Sequence, residues 1–173
     1  MPRILSGKMI LLLAALAVLD YCFIPALQNG AARPIALYLP VLYVAFRWPR
    51  EKIAPAAMAV GLVRDLLSSG PLGVELTSLI FSGLLLDLAV QKMDRNSEPV
   101  KLAVTFLFVQ TAFLIQWVLG GLLGFSQFMT WHALSVSFGS AVLTTVVAPL
   151  FYMAAGRLFR DDGSMLKQYE LFG

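Results

Sequence analysis

Apolar stretches alternate with short polar links along this chain, and six of them are long enough to be candidate membrane spans. They run over about Met9–Leu27, Pro34–Trp48, Ile53–Leu67, Leu72–Val90, Val100–Leu123 and Phe128–Ala155. A transmembrane helix needs about 20 mainly apolar residues, with a tolerated range of roughly 17 to 25. The links are polar or rich in small residues: Gln28-Asn29-Gly30, Pro49-Arg50-Glu51-Lys52, Ser68-Ser69-Gly70-Pro71, Gln91 to Lys101, and a short one around Gly124 to Gln127. Segments two and three are short. Each is either the core of a tilted span, or the two form a hairpin that enters the membrane without crossing it, and both readings leave the later segments in the same orientation. The pattern predicts an all-α, polytopic integral membrane protein of about six transmembrane helices, in a single helical domain over residues 1–173.

Composition sharpens this reading. Of the 173 residues 59% are hydrophobic and 13% charged, against roughly 45 to 50% and about 25% in soluble domains, which excludes an ordinary soluble fold, a disordered chain and a collagenous one. The single Cys22 and single His132 leave no internal disulfide and no Cys/His metal centre, and no cofactor is expected. No repeat at a fixed period and no low-complexity tract interrupts the pattern.

The net charge of +3 arises from 13 Lys and Arg against 10 Asp and Glu. No basic stripe with interleaved aromatics accompanies it, so no nucleic-acid partner is expected. The basic residues instead give topology. With a cytoplasmic N-terminus, Arg3, Lys8, Arg47, Arg50, Lys52, Lys92, Arg95, Lys101, Arg157, Arg160 and Lys167 all fall inside, Arg33 alone falls outside and Arg64 lies within a span. The positive-inside rule therefore predicts both termini in the cytoplasm. Arg3 and Lys8 ahead of a leucine-rich run resemble a signal peptide, but the run is long for one and no small-x-small cleavage site follows, so a retained first helix is expected.

Ionisable groups within spans call for a partner or a role, because a charge at mid-bilayer costs at least about 2.5 to 3.5 kcal/mol on insertion scales. They are Asp20, the pair Arg64 and Asp65, Glu75, and Asp87. Arg64 and Asp65 sit within a turn of the outer end of segment three, and Glu75 opens segment four just beyond the Ser68–Pro71 link, so one basic and two acidic residues converge near one membrane face. Two readings are open: a snorkelling Arg64 paired with its neighbouring carboxylate holds two helices in register, or the cluster contacts a ligand or partner. Ala57, Gly61 and Asp65 recur every fourth residue as a small-residue strip suited to close helix contact. Glu75, Ser78 and Ser82 share a face of segment four, facing either protein or a transport pathway. Gly120 and Gly124 form a GxxxG that reads as a turn or a dimer contact. Trp48, Trp117 and Trp131 suit interfacial belts, Trp48 inside and the others outside, and His132 reads as interfacial too.

Enzymatic chemistry finds little support. His132 has no Gly-x-Ser-x-Gly partner motif and no His-Glu-x-x-His occurs. A carboxylate pair such as Asp20 with Asp65 remains as the possible acid and base of a membrane hydrolase. Asn29-Gly-Ala-Ala32 faintly resembles a lipoprotein signal peptidase, although that family's aspartate motifs and four-span layout are missing.

The most specific motif is Gly61-Leu-Val-Arg-Asp-Leu-Leu-Ser-Ser-Gly-Pro-Leu-Gly73. It resembles the signature of the bacterial rod shape-determining MreD family, in which a Gly-x-x-x-Asp span end runs into a small-residue turn and a Pro-Leu-Gly. The preceding span and basic Arg47–Lys52 loop match the family's order, and the likeness is good over about Pro34–Asp87. Carried over by position, the family's marked residues are Gly61, Asp65, Pro71 and Gly73; Arg64 and Glu75 depart from its pattern. In this corner Gly61 thins the helix, Ser68–Gly70 end it, Pro71 fixes the start of the next helix, and Asp65 accepts bonds from backbone N–H groups there. Gly61, Arg64, Asp65, Pro71, Gly73 and Glu75 are thus expected to form a structural lock or partner interface. The resemblance implies a noncatalytic scaffold subunit of the bacterial cell-elongation machinery that builds lateral peptidoglycan, multi-pass in the inner membrane. Its implied partners are the bitopic protein MreC and, through it, the actin-like MreB filament and the penicillin-binding transpeptidase with its polymerase. It also implies a fold resembling the substrate-binding subunits of energy-coupling-factor transporters, from which the alternative reading follows: a membrane subunit that binds a small, vitamin-type molecule.

Overall fold

The computed structural model describes residues 7–23, 32–68, 70–93, 97–124 and 131–158. Among them lie six α-helices and no strand: α1 Gly7–Val18, α2 Leu39–Arg47, α3 Ile53–Leu67, α4 Val74–Val90, α5 Glu98–Leu122 and α6 Trp131–Leu158. A π-helical turn, Leu19–Phe23, continues α1, and a 3-10 turn, Ala36–Tyr38, opens α2. The third apolar segment coincides with α3. Helix α4 begins two residues later than its pattern suggested, since Leu72 and Gly73 belong to the turn before it. Helix α5 begins two residues earlier, with Pro99 in its first turn, where a missing N–H costs nothing. The ends of the first and last segments, 24–27 and 128–130, lie outside the described residues.

Large apolar side chains cover the outside as well as filling the core, and polar ones share the interior. Leu66, Leu72, Leu122, Val146 and Leu150 are each at least 65% exposed, while Asp20, Arg64, Asp65, Ser78, Ser82, Thr105, Gln116, Ser137, Ser140 and Thr144 are buried. Apolar side chains outside and hydrogen-bonded polar ones inside suit a molecule whose solvent is hydrocarbon. Helices α5 and α6 are each long and apolar enough to cross a membrane.

Helix α2 occupies the middle. It packs against α3, α4, α5 and α6, and every residue from Ala36 to Ala45 is buried. Around it α3 pairs with α4, α4 with α5, and α5 with α6. The α3–α4 contact is the closest. A Cβ added at Gly61 would lie 2.8 Å from Leu76 Cα, and one at Gly83 would lie 3.0 Å from the Ala57 side chain. The small-residue strip of α3 is thus a helix interface, and its partner is the next helix in the chain.

At the cytoplasmic end predicted from the charges, Arg50 grips Asp87 with a two-pronged bond, Nε to Oδ1 at 2.8 Å and Nη2 to Oδ2 at 2.7 Å. This ties the link before α3 to the last turns of α4. Lys52 lies over the Trp48 ring at 4.5 Å, and Lys101 pairs with Glu98 along α5.

Candidate functional site

A helix leaves its first backbone N–H groups without intrahelical acceptors, and a residue just before it usually supplies a side-chain oxygen. Helix α4 lacks that resource, because its N-cap is Gly73 with φ +92°, a left-handed conformation that L side chains rarely adopt. Asp65, at the end of α3, supplies the missing acceptor. Its Oδ2 accepts from the N–H groups of Gly73 at 3.1 Å and Leu76 at 3.0 Å, and its Oδ1 accepts from Glu75 at 3.1 Å. Val74 N–H reaches the Pro71 carbonyl at 3.4 Å, and Thr77 N–H makes the first intrahelical bond, to Gly73. Every donor at this helix start is satisfied, and the Asp65 charge sits where the helix dipole favours an anion.

Gly61 lets this happen. One helical turn before Asp65, its missing side chain brings the α3 backbone onto Leu76, so the carboxylate reaches the α4 start. Pro71 acts one step earlier than its spacing suggested: it is the acceptor of the turn that leads into the helix and lies outside α4 itself.

Arg64 does not pair with its neighbour Asp65, and it does not snorkel. It is buried, its Nη2 donates to Glu75 Oε1 at 2.9 Å, and its guanidinium lies over the Tyr38 ring at 4.6 Å. Asp65 turns both of its oxygens instead to backbone donors at the start of α4. Arg64 Nε and Nη1 have no hydrogen-bond partner. The other Glu75 oxygen accepts from Gln116 Nε2 at 2.7 Å, and the same nitrogen lies 3.0 Å from Tyr38 Oη and 3.2 Å from Ser78 Oγ. Arg64 and Glu75 therefore form a buried ion pair whose setting Tyr38, in the turn that opens α2, and Gln116 of α5 complete. Breaking such a pair by removing one partner typically costs about 3 to 5 kcal/mol, because the other charge is left uncompensated.

The polar face of α4 is satisfied within the protein. Ser78 and Ser82 donate to the carbonyls of Glu75 and Ser78, and Ser78 faces α5 through Gln116. Asp87 belongs to the opposite end of the helix. Gly124, with φ +79°, ends α5 in a turn, and Gly120 is buried within the same helix.

Asp20 repeats the capping device. Its Oδ1 accepts from Ala36 N–H at 2.8 Å and its Oδ2 from Leu37 N–H at 2.9 Å. The approach to α2 is also held from α6: Arg33 N–H donates to Ser140 Oγ at 3.1 Å and Ile35 N–H to Thr144 Oγ1 at 2.9 Å. Gly139 makes room, since a Cβ there would lie 2.8 Å from Ala32 Cβ. Asp20 and Asp65 are both buried and both committed to backbone donors of different helices, which leaves neither placed as the acid or base of a shared cleft.

With this geometry in place, the family to compare is that of the rod shape-determining protein MreD, whose model matches residues 1–161. The chain belongs to the MreD family. No curated protein and no solved structure matches it. Membership carries a role in rod shape determination, and the MreD family is a family of membrane proteins without a known enzymatic activity. Gly61, Asp65, Pro71 and Gly73 lie together at the α3–α4 corner. Gln116 and Tyr38, which complete its surroundings, were not singled out from sequence. A polar Gln within the fifth apolar run was the available signal, since uncharged polar groups in a span face protein for the same reason that charged ones do.

Proposed function

We propose that this chain is a noncatalytic scaffold of the cell-elongation machinery, seated in the inner membrane as a multi-pass protein with both termini in the cytoplasm. Its α3–α4 corner presents a fixed surface to an MreC-like bitopic partner, through which the MreB filament and the penicillin-binding transpeptidase with its polymerase are reached. The observation that supports this reading is that Asp65, Glu75 and Asp20 are all held by donors of the protein itself. A corner so arranged fixes geometry and leaves no free acid or base. The alternative, a substrate-binding subunit like those of energy-coupling-factor transporters, relied on the polar face of α4, which is bonded within its own helix and to α5.

The test is co-purification of the bitopic partner with Asp65→Ala, at matched membrane levels of this chain. Recovery of the partner is expected to fall severalfold and rod cells to round up. Undiminished recovery together with normal rod shape would sink the scaffold reading.

A further inference from the structure

Glu75 is held at three points. Asp65 accepts from its backbone N–H at 3.1 Å, Arg64 donates to its Oε1 at 2.9 Å, and Gln116 donates to its Oε2 at 2.7 Å. Two of these ties come from α3 and one from α5. Gln116 Nε2 carries two hydrogens and faces three oxygens, those of Glu75, Tyr38 and Ser78. The nearest and charged acceptor, Glu75, takes one hydrogen, and Tyr38 Oη and Ser78 Oγ compete for the other. Position 116 therefore calls for a donor. A carboxylate there would face Glu75, and an apolar side chain would leave Glu75 Oε2 without its partner.

This network is poorly arranged for stability. Arg64 Nε and Nη1 are buried and, among the described residues, have no hydrogen-bond partner, so part of the hydration lost by the guanidinium goes unrecovered. Replacing a buried ion pair with well-packed apolar residues of similar volume is often neutral or stabilising. Apolar residues do not supply direction, however. Hydrophobic contact is non-directional, whereas a hydrogen bond holds distance and angle within narrow limits. The Gly61 contact and the Asp65 cap already join α3 to α4, but neither reaches beyond that pair. The bonds from Gln116 to Glu75 and Ser78, and the Arg64 guanidinium over Tyr38, do cross from the pair to its neighbours.

We infer that Arg64, Glu75 and Gln116 are positioning residues, which set the orientation at which the α3–α4 corner meets the bitopic partner. Apolar packing would hold the corner in place without aiming it. The inference rests on the scaffold reading above.

The test separates orientation from stability. In Arg64→Met/Glu75→Leu/Gln116→Leu the network becomes apolar at similar volume. Its resistance to SDS-induced unfolding should match or exceed that of wild type, while partner recovery at matched membrane levels should fall severalfold. Spin labels at Leu72→Cys on the corner and Leu114→Cys on α5, both exposed positions, are read in a Cys22→Ser protein by pulsed electron paramagnetic resonance. They should give one narrow distance that broadens or shifts in the triple variant. Glu75→Gln/Gln116→Glu exchanges donor and acceptor across the same contact, keeps the net charge and leaves Arg64 an acceptor. It should recover both the partner and the narrow distance, which Gln116→Glu alone, setting two carboxylates together, should lose. An unchanged distance or undiminished partner recovery in a triple variant as stable as wild type overturns the inference. If the triple variant loses stability, the exchange decides, and its failure to rescue Gln116→Glu overturns the inference. Undiminished recovery with normal rod shape in Asp65→Ala would sink the scaffold reading and this inference with it. Reduced recovery there, beside wild-type recovery in the triple variant, would sink this inference alone.

Discussion

The starts of α2 and α4 solve one problem in two ways. Each lies at a buried helix end, and each borrows an aspartate from the helix before it, Asp20 for α2 and Asp65 for α4. At α4 the donors follow the carboxylate within 11 residues, and one glycine contact and one left-handed glycine complete the corner. At α2 the carboxylate serves two donors, and the two preceding N–H contacts go to α6, more than 100 residues away. The first corner is a local device. The second forms only when the ends of the bundle meet, so it depends on the whole fold.

Substitutions should separate these two designs, and the largest effect is expected at Gly61. A leucine there must displace the α4 backbone at Leu76, with an expected loss of about 3 kcal/mol or more. This is measured as the shift in SDS-induced unfolding in mixed micelles, and unchanged stability would show that the two helices slide apart freely. Next come the caps themselves. Asp65→Ala strands three donors and is expected to cost about 3 kcal/mol, whereas Asp20→Ala strands two and should cost about 2 kcal/mol. The contrast sharpens in combination. Thr144→Val, at about 1 kcal/mol alone, should be non-additive with Asp20→Ala and additive with Asp65→Ala, because residues that hold one segment couple and distant ones do not. Equal coupling to both aspartates would erase the distinction drawn here. The smallest effect is expected at Arg50→Gln. That ion pair with Asp87 is exposed on its arginine side, and its removal should leave unfolding unchanged at physiological salt.

The same contrast explains what could be read from the chain. The Asp65 corner was legible because all its parts lie between Gly61 and Leu76, and because glycine, proline and aspartate have narrow local uses. Six helices and the exact extent of α3 were legible from hydropathy and punctuation. Asp20 was visible as an intramembrane acid, but its use was not, since its donors are backbone groups that carry no residue-type signal. Arg64 was read as pairing with an adjacent carboxylate without a choice between Asp65 and Glu75, and the partner is Glu75, across the corner. Gln116 and Tyr38 escaped notice because they reach the corner across the bundle.

The central helix has a consequence for how the molecule is made. With its 3-10 turn, α2 extends only about 20 Å, less than the roughly 30 Å hydrocarbon thickness, and residues 36–45 are all enclosed by neighbouring helices. A segment of that length has no comfortable resting place in lipid alone. Its enclosure is completed only when α6, made far later than α2, packs against it, so this segment waits through most of synthesis for the neighbour that covers its last face.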